Sequence, residues 1–476
     1  MGLGTDAEAS PPATLMADAW RDLREVLAIS FPVIVAMASF TLMGFVDTTM
    51  LAYYGADELA AVGPAGAAAF AFLAFIMGTG SCTSTFVAQS VGRGQLDECA
   101  RYTAQGVYFG FVMQAVAVPL MLWSPAIFAL FGHPPAVQRM ESVYFRIVLV
   151  HTAGSAAYAS LSSFFQGISR PAIPMYAAIL ANLFNAVGDY VLIFGKLGFP
   201  RMGIAGAAWA TTACSYVQVL FLLGAYLWKP MHDRFRTRTH WRLDLARLRR
   251  YLSIGAPAGI SFMLDVASRA IFLLVLIGPL GRDILAANNI TNSILGLSVM
   301  PAVGLNKGVT VLVGQYIGRR NIRAAKRSAY FGLALAMAYM VFMGLLFVAF
   351  RRPIVHWFRS EEAIVKAGGT MLIFAAAFQA FSALSIISLG ALRGAGDTRF
   401  PAVIGIVSGW GVMLPLGWLL TRSAGLGYVG AWTAASIHIA TLGVLFFWRF
   451  AGEAWRKIDI FAGAPAEPAA DDADST

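Results

Sequence analysis

Long apolar runs alternate with short polar connections along almost the whole chain. A helix needs about 20 apolar residues to cross the hydrocarbon core of a bilayer, and twelve runs are long enough. They are predicted near residues 28–54, 60–90, 102–124, 141–167, 172–196, 203–228, 250–279, 285–317, 327–350, 366–392, 400–421 and 427–450. The pattern therefore predicts an all-α polytopic membrane protein with twelve transmembrane helices.

Composition and charge support this interpretation. Only 13% of the residues are charged, whereas soluble domains carry about 25%. The net charge of +10 lies mainly in connections that follow even-numbered runs, so it indicates cytoplasmic loops rather than a nucleic-acid surface. The connection with Arg351 and Arg352 is an exception, which Glu361 and Glu362 only partly offset. The sequence thus predicts a multi-pass protein with both termini in the cytoplasm.

The two halves of the chain repeat. GADELAA at Gly55 aligns with GRDILAA at Gly281, and VAQSVGRGQLDECAR at Val87 aligns with VGQYIGRRNIRAAKR at Val313. Both pairs are separated by 226 residues. Because each half has six runs, both enter the membrane from the same side. We expect two six-helix bundles related by a pseudo-twofold axis along the membrane normal, with the transport path between them.

The predicted organisation has five parts. They are an N-terminal cytoplasmic arm with a short surface helix (1–27), an N-terminal lobe (28–228), a basic cytoplasmic linker (229–249), a C-terminal lobe (250–452) and a disordered cytoplasmic tail (453–476).

Acidic and amide side chains inside two N-lobe runs are the main candidates for function. Asp47 is the one acid of the first run, where burial costs roughly 3 kcal/mol on insertion scales. In the fifth run, Asn185 and Asp189 are one helical turn apart, and Asn182 lies close to the same face. Such oxygens could hold a proton, Na⁺ or an organic cation. The alternatives are a polar seam between helices and, for Asp47, a place near the outer headgroups.

The C-lobe offers secondary candidates. Asp265 and Arg269 have the spacing of a helical ion pair, so Asp265 is either a structural partner or a functional ligand. The eighth run adds a group of amides that could line the same lobe: Asn288, Asn289 and Asn292.

Prolines and histidines inside runs have both structural and functional interpretations. Pro32 and Pro257 each free a backbone carbonyl, which makes them hinge candidates or static bends. His151 and His438 are more typical of packing residues than of proton relays. Cys82, Cys99 and Cys214 fit no zinc spacing and no disulfide framework (all three are scattered).

No catalytic or nucleotide-binding signature occurs in the sequence. It has no G-x-x-x-x-G-K-[ST], G-x-S-x-G or H-E-x-x-H pattern. We therefore expect no enzyme activity, and any transport would use an ion gradient or a partner protein.

Four stretches, two in each half, form a recognisable set: FPVIVAMASFTLMGFVDTTMLAYYG, NLFNAVGDYVLIFG, LAANNITNSILGLSVMPAVGLNKGVTVLVGQYIG and LGALRGAGDT. Together they resemble the multidrug and toxic compound extrusion (MATE) family, of the bacterial NorM/DinF-like kind. The resemblance implies a V-shaped pair of bundles in the bacterial inner membrane. It also implies a monomer among membrane lipids that exports amphipathic, often cationic drugs or toxins. The export would be in exchange for H⁺ or Na⁺, with no cofactor.

The resemblance also implies roles for particular residues. Asp47, Asn185 and Asp189 match the family's N-lobe coupling-ion site, where Na⁺ would be the only metal. Asp265 stands where the NorM-like branch usually has a glutamate, and Ser382 stands where that branch has an aspartate. Arg269 is a further departure, so the N-lobe site is the stronger prediction.

Two other classes remain. A flippase for lipid-linked precursors would line its cavity with arginines, whereas the N-half runs are nearly free of basic residues. A non-transporting receptor or scaffold would not need the internal repeat and the buried acids.

Overall fold

The chain folds into long helices. In the computed structural model, the backbone is described for residues 12–462, and the side chains for 23–462 apart from residues 56, 57, 59 and 60. This part of the chain contains no β-strand. The α-helices of the N-terminal half are Pro12–Tyr54, Ala56–Ser81, Thr83–Arg93, Leu96–Ala129, Pro135–Leu149, Thr152–Gly167, Ala172–Phe194 and Ile204–Leu227.

The C-terminal half has the same character with more local irregularity. Its α-helices are Lys229–Phe235, Leu245–Ile271, Arg282–Gly318, Ile322–Phe358, Glu362–Gly394, Arg399–Ile406, Leu414–Trp418 and Gly427–Ala451. Short π-helical segments occupy Phe272–Ile277, Val407–Met413 and Leu419–Ser423, and 3₁₀ turns occupy Gly278–Leu280 and Ala454–Lys457.

The twelve predicted spans are confirmed by length and composition. Eleven helical segments are long and apolar enough to cross a membrane, and a bent pair supplies one more. That pair, Pro135–Leu149 with Thr152–Gly167, bends by 45° and forms the fourth span. The ninth predicted run ends at 350, where the helix kinks at Phe350 (φ −112°, ψ 18°) before continuing to Phe358. Pro353 lies one turn further on and cannot donate a helical hydrogen bond, which accounts for the kink.

The two halves meet at the end of the molecule that carries the arginine-rich connections. The second and eighth spans approach so closely that a Cβ on Gly92 would lie 2.8 Å from the Cα of Gly318. Hydrogen bonds between the halves lie at the same end. Thr85 Oγ1 donates to the Arg393 carbonyl (2.9 Å), and Gln315 Nε2 donates to the Gly167 carbonyl (2.8 Å). The predicted cytoplasmic side is therefore the closed side.

The terminal segments and the linker differ from their predictions. The arm was expected to hold a separate short surface helix, but one helix runs from Pro12 to Tyr54, so this prediction is wrong for residues 12–27. Residues 1–11 lie outside the described part. The linker is partly helical, and the helix of the seventh span begins within it at Leu245. Phe235 of the linker is buried against Phe164, with ring centroids 5.4 Å apart.

The prediction of a disordered tail from residue 453 is wrong for residues 453–462. This segment, here called the C-terminal strap, crosses from the last span onto the N-terminal half. Phe461 is buried beside Phe86, and Arg93 lies over its ring at 4.2 Å from the centroid. Arg93 also pairs with Asp459 at 2.9 Å. The strap is ordered because its apolar side chains pack against an aromatic cluster of the N-terminal half. Residues 463–476 lie outside the described part.

Candidate ion and substrate sites

The main predicted residues of the N-lobe come together between the first and fifth spans. Asp47 lies seven residues before the end of the first helix at Tyr54, and Asp189 lies five before Phe194. At about 1.5 Å per residue, both acids are within roughly 10 Å of the helix ends opposite the arginine-rich side. Asn185 and Asp189 have no solvent exposure, and Asp47 is partly buried.

Most polar atoms of this N-lobe cluster lack a hydrogen-bond partner. No donor in the described part of the chain reaches Oδ1 of Asp47 or either carboxyl oxygen of Asp189. Both side-chain polar atoms of Asn185 are also unsatisfied. Asn182 differs, because its Nδ2 donates to Ser39 Oγ on the first span, although its Oδ1 has no partner. A buried group without a partner costs roughly 1–3 kcal/mol, so the cluster is poorly suited to a purely structural role.

The two carboxyl groups face each other. Asp47 and Asp189 lie within hydrogen-bonding reach of one another. Ionised carboxylates only accept hydrogen bonds and repel each other, so a shared proton or a bound cation would stabilise this arrangement. Tyr144 of the fourth span and Cys214 of the sixth lie within electrostatic range of both acids. These two neighbours carry no charge at neutral pH, and sequence periodicity alone did not indicate them.

The C-lobe contains a candidate substrate cavity. Its volume is about 1130 Å³, which is sufficient for a drug-sized molecule. The secondary candidates Asp265, Asn288, Asn289 and Asn292 line it, as do Ser382 and, from the first span, Met37. The N-lobe and C-lobe candidates are therefore not brought into one site.

Asp265 and Arg269 form the expected ion pair. Arg269 Nε donates to Asp265 Oδ2 at 3.0 Å. Their side chains are 37% and 66% exposed, and both line the cavity. Asn288, in contrast, is fully buried and both its polar side-chain atoms lack partners. The cavity lining thus includes a neutralised charge pair and a buried amide, Asn288, whose polar atoms are free to accept and donate hydrogen bonds.

The remaining candidates occupy packing positions. His151 Nδ1 lies 3.4 Å from Thr212 Oγ1, and His438 Nδ1 lies 2.8 Å from Ser408 Oγ. Both rings are buried, as expected of packing histidines, although His438 also lines the cavity. Pro32 and Pro257 each lie inside a continuous helix, and their role as hinges stays a prediction.

Comparison with known proteins fits this fold and its internal repeat. The MatE family model matches residues 32–191 and 257–419, one stretch in each half. A probable multidrug resistance protein NorM of Mesorhizobium japonicum is 30% identical over 459 residues, covering 94% of this chain and 96% of the relative. Another from Neisseria meningitidis serogroup B is 29% identical over 442 residues, covering 90% and 94%.

Solved structures share the fold at lower identity. A MOP superfamily transporter from Pyrococcus furiosus, described as having a binding pocket of reverse polarity that suggests a different function, superposes with a TM-score of 0.83. It is 19% identical, and the match covers 92% of this chain and 97% of that one. The eukaryotic MATE transporter AtDTX14 gives a TM-score of 0.81 at 18% identity, with the same coverage.

The fold, the family model and the curated relatives identify a membrane transporter built from two helical bundles. The chain belongs to the MatE family.

Proposed function

We propose that the protein is a multidrug efflux transporter of the bacterial inner membrane that exchanges amphipathic, mainly cationic compounds for H⁺ or Na⁺. Family membership and relatives named as multidrug resistance proteins support the efflux part. The positively charged connections at the closed end support cytoplasmic termini.

The unsatisfied carboxyl pair is the observation that carries ion coupling. A proton between Asp47 and Asp189 would supply the missing donor. Sodium would instead take carboxylate oxygens together with the Oδ1 of Asn185, since it prefers hard oxygen ligands. Either ion would reduce the net negative charge of the buried Asp47–Asp189 cluster. A bound cationic drug would reduce it in the same way.

This shared chemistry explains how exchange could work. Ion and drug must bias one conformational equilibrium in opposite directions for the two fluxes to be coupled. The halves are closed at the predicted cytoplasmic end, which supports loading of the cluster by an ion from outside. Ion binding then disfavours a cationic drug, which leaves outward, and the loaded transporter returns inward.

Efflux in proteoliposomes tests the proposal. Ethidium export should follow an imposed pH or sodium gradient in the wild type and be lost in Asp47→Asn and Asp189→Asn at matched protein level. Asp283→Asn is the control, because that acid is exposed at the start of the eighth span. Export by either cluster variant at the wild-type rate would refute the N-lobe assignment.

A flippase for lipid-linked precursors is the second candidate. The C-lobe cavity does contain arginines, Arg269 and Arg393, whereas the N-half runs are nearly free of basic residues. Arg269 is paired with Asp265, however, and one unpaired arginine is a weak match to a polyanionic headgroup. Gradient-independent lipid translocation without ethidium export would favour this alternative.

A further inference from the structure

Two basic side chains lie inside the C-lobe rather than in a loop. Lys307 belongs to the eighth span, eleven residues before its end at Gly318. That distance is roughly 16 Å along the helix axis. Arg393 belongs to the last turn of the tenth span and lines the cavity. Both side chains keep some accessible surface.

Helical register places both cations at the cytoplasmic end of the cavity. On the eighth span, Met300 and Val303 line the cavity, and Lys307 follows on the same face. On the tenth span, Leu389 lines it one turn before Arg393. Arg393 is therefore part of the cavity wall, and helical register places Lys307 one turn beyond Val303, towards the cytoplasmic end.

Close packing of the two spans brings the cations together. Thr310 Oγ1 of the eighth span donates to the Gly390 carbonyl of the tenth at 3.0 Å. The absent side chain at Gly390 also leaves room for Asn306, whose Nδ2 would lie 2.8 Å from a Cβ placed there. Lys307 and Arg393 consequently lie within Coulombic range of each other.

Neither cation has a counter-ion among the side chains that the structure describes. In residues 23–55, 58 and 61–462, no hydrogen bond or ion pair involves the Lys307 ammonium or the Arg393 guanidinium. The Cys82 thiol is within range of both, but its Sγ is directed at the carbonyls of Gly78 and Ile254, at 3.9 and 3.8 Å. The nearby acid in sequence, Asp397, is held by Arg449 at 2.8 Å.

Two neighbouring cations without counter-ions favour the binding of an anionic ligand. Charges inside membrane proteins are costly unless they are paired, and an arginine stays charged in essentially any environment. An oxyanion between the two side chains would receive parallel N–H groups from the guanidinium and a point charge from the ammonium. Apolar side chains such as Phe262 and Phe378 line the cavity beyond them.

We propose that Lys307 and Arg393 form the anion-binding end of the C-lobe cavity, which binds amphipathic small molecules through a carboxylate. The inference rests on the proposed efflux function and extends its substrate class from cationic compounds to amphipathic organic acids and zwitterions. A phospholipid phosphate offers similar oxyanion chemistry and is the competing source of the ligand.

A pair of matched fluorescent probes tests this assignment. Norfloxacin carries a carboxylate and an amine, whereas its ethyl ester carries only the amine. We expect purified wild-type protein, in magnesium-free buffer, to bind the acid at least about tenfold more tightly than the ester, the effect of one charge-assisted contact. Lys307→Gln and Arg393→Gln should each reduce this ratio towards one, and Lys307→Arg should retain most of it.

The control is Arg282→Gln, which removes a cation from the exposed outer end of the same helix and should leave the ratio unchanged. Equal affinity for acid and ester in the wild type, or an unchanged ratio in both glutamine variants, would overturn the inference. Ethidium export in the same preparation separates that failure from failure of the efflux proposal. The measurement is repeated in nanodiscs with and without phosphatidylglycerol. Displacement of norfloxacin by this lipid in the wild type, but not in the variants, would assign the site to lipid instead.

Discussion

The Asp265–Arg269 pair gives a quantitative prediction that separates a structural role from a functional one. Fully buried ion pairs cost about 3–5 kcal/mol when one partner is removed, because the other charge is stranded. Exposed helical pairs four residues apart contribute only about 0.3–0.5 kcal/mol. The side chains here are 37% and 66% exposed and face the open cavity, so the second value applies.

We therefore expect Asp265→Asn to fold normally, with an apparent melting temperature lowered by about 2 °C or less. A double-mutant cycle with Arg269→Gln, measured by thermal unfolding in detergent, should give a coupling energy of about 0.5 kcal/mol. A coupling energy above about 3 kcal/mol would show that the cavity is dry and refute the reasoning.

Three further outcomes follow from contacts between the halves. Gly92→Ala should destabilise the closed form by about 1–3 kcal/mol, because its Cβ would lie 2.1 Å from a backbone oxygen. Gly224→Ala is the control, since the space around it is open. Equal melting temperatures for the two variants would contradict this prediction. Phe461→Ala should lower the free energy of unfolding by about 3 kcal/mol, because the buried ring is lost. An unfolding free energy equal to that of the wild type would mean that the C-terminal strap is not docked. Burial opposes ionisation of Asp459, but the Phe461 N–H and Arg93 outweigh it and lower its pKa. The contribution of Asp459 to the free energy of unfolding should therefore be present above about pH 4 and be lost at lower pH. A stability difference between wild type and Asp459→Asn that does not change with pH would refute this.

The spans and the N-lobe cluster were predictable because their signals are local. Apolar runs of membrane length leave few alternatives to helices, and the spacing of Asn185 and Asp189 fixes their common face. That Asp47 faces Asp189 needed the packing of the first span against the fifth. Periodicity contains no information about that contact.

Some functional and packing residues were not predicted, because the composition of the neighbouring segments suggested a different assignment. Lys307 lies inside an apolar run on the same face as Asn289 and Asn292, which was a usable signal. Arg393 was counted among loop charges, and only the structure shows it lining the cavity. The strap was assigned to a tail whose composition is dominated by its last residues, although Trp455 and Phe461 indicated burial.

The most direct test of the central claim is the dependence of drug affinity on the coupling ion. Ethidium binding to the purified protein is measured by fluorescence anisotropy while H⁺ or Na⁺ is varied separately. If the ion and the drug compete through Asp47 and Asp189, raising one of these ions should weaken ethidium binding in the wild type. Asp189→Asn should bind ethidium independently of both ions. Wild-type affinity that is unaffected by either ion would contradict the account and would favour a drug site that is coupled to the N-lobe only indirectly.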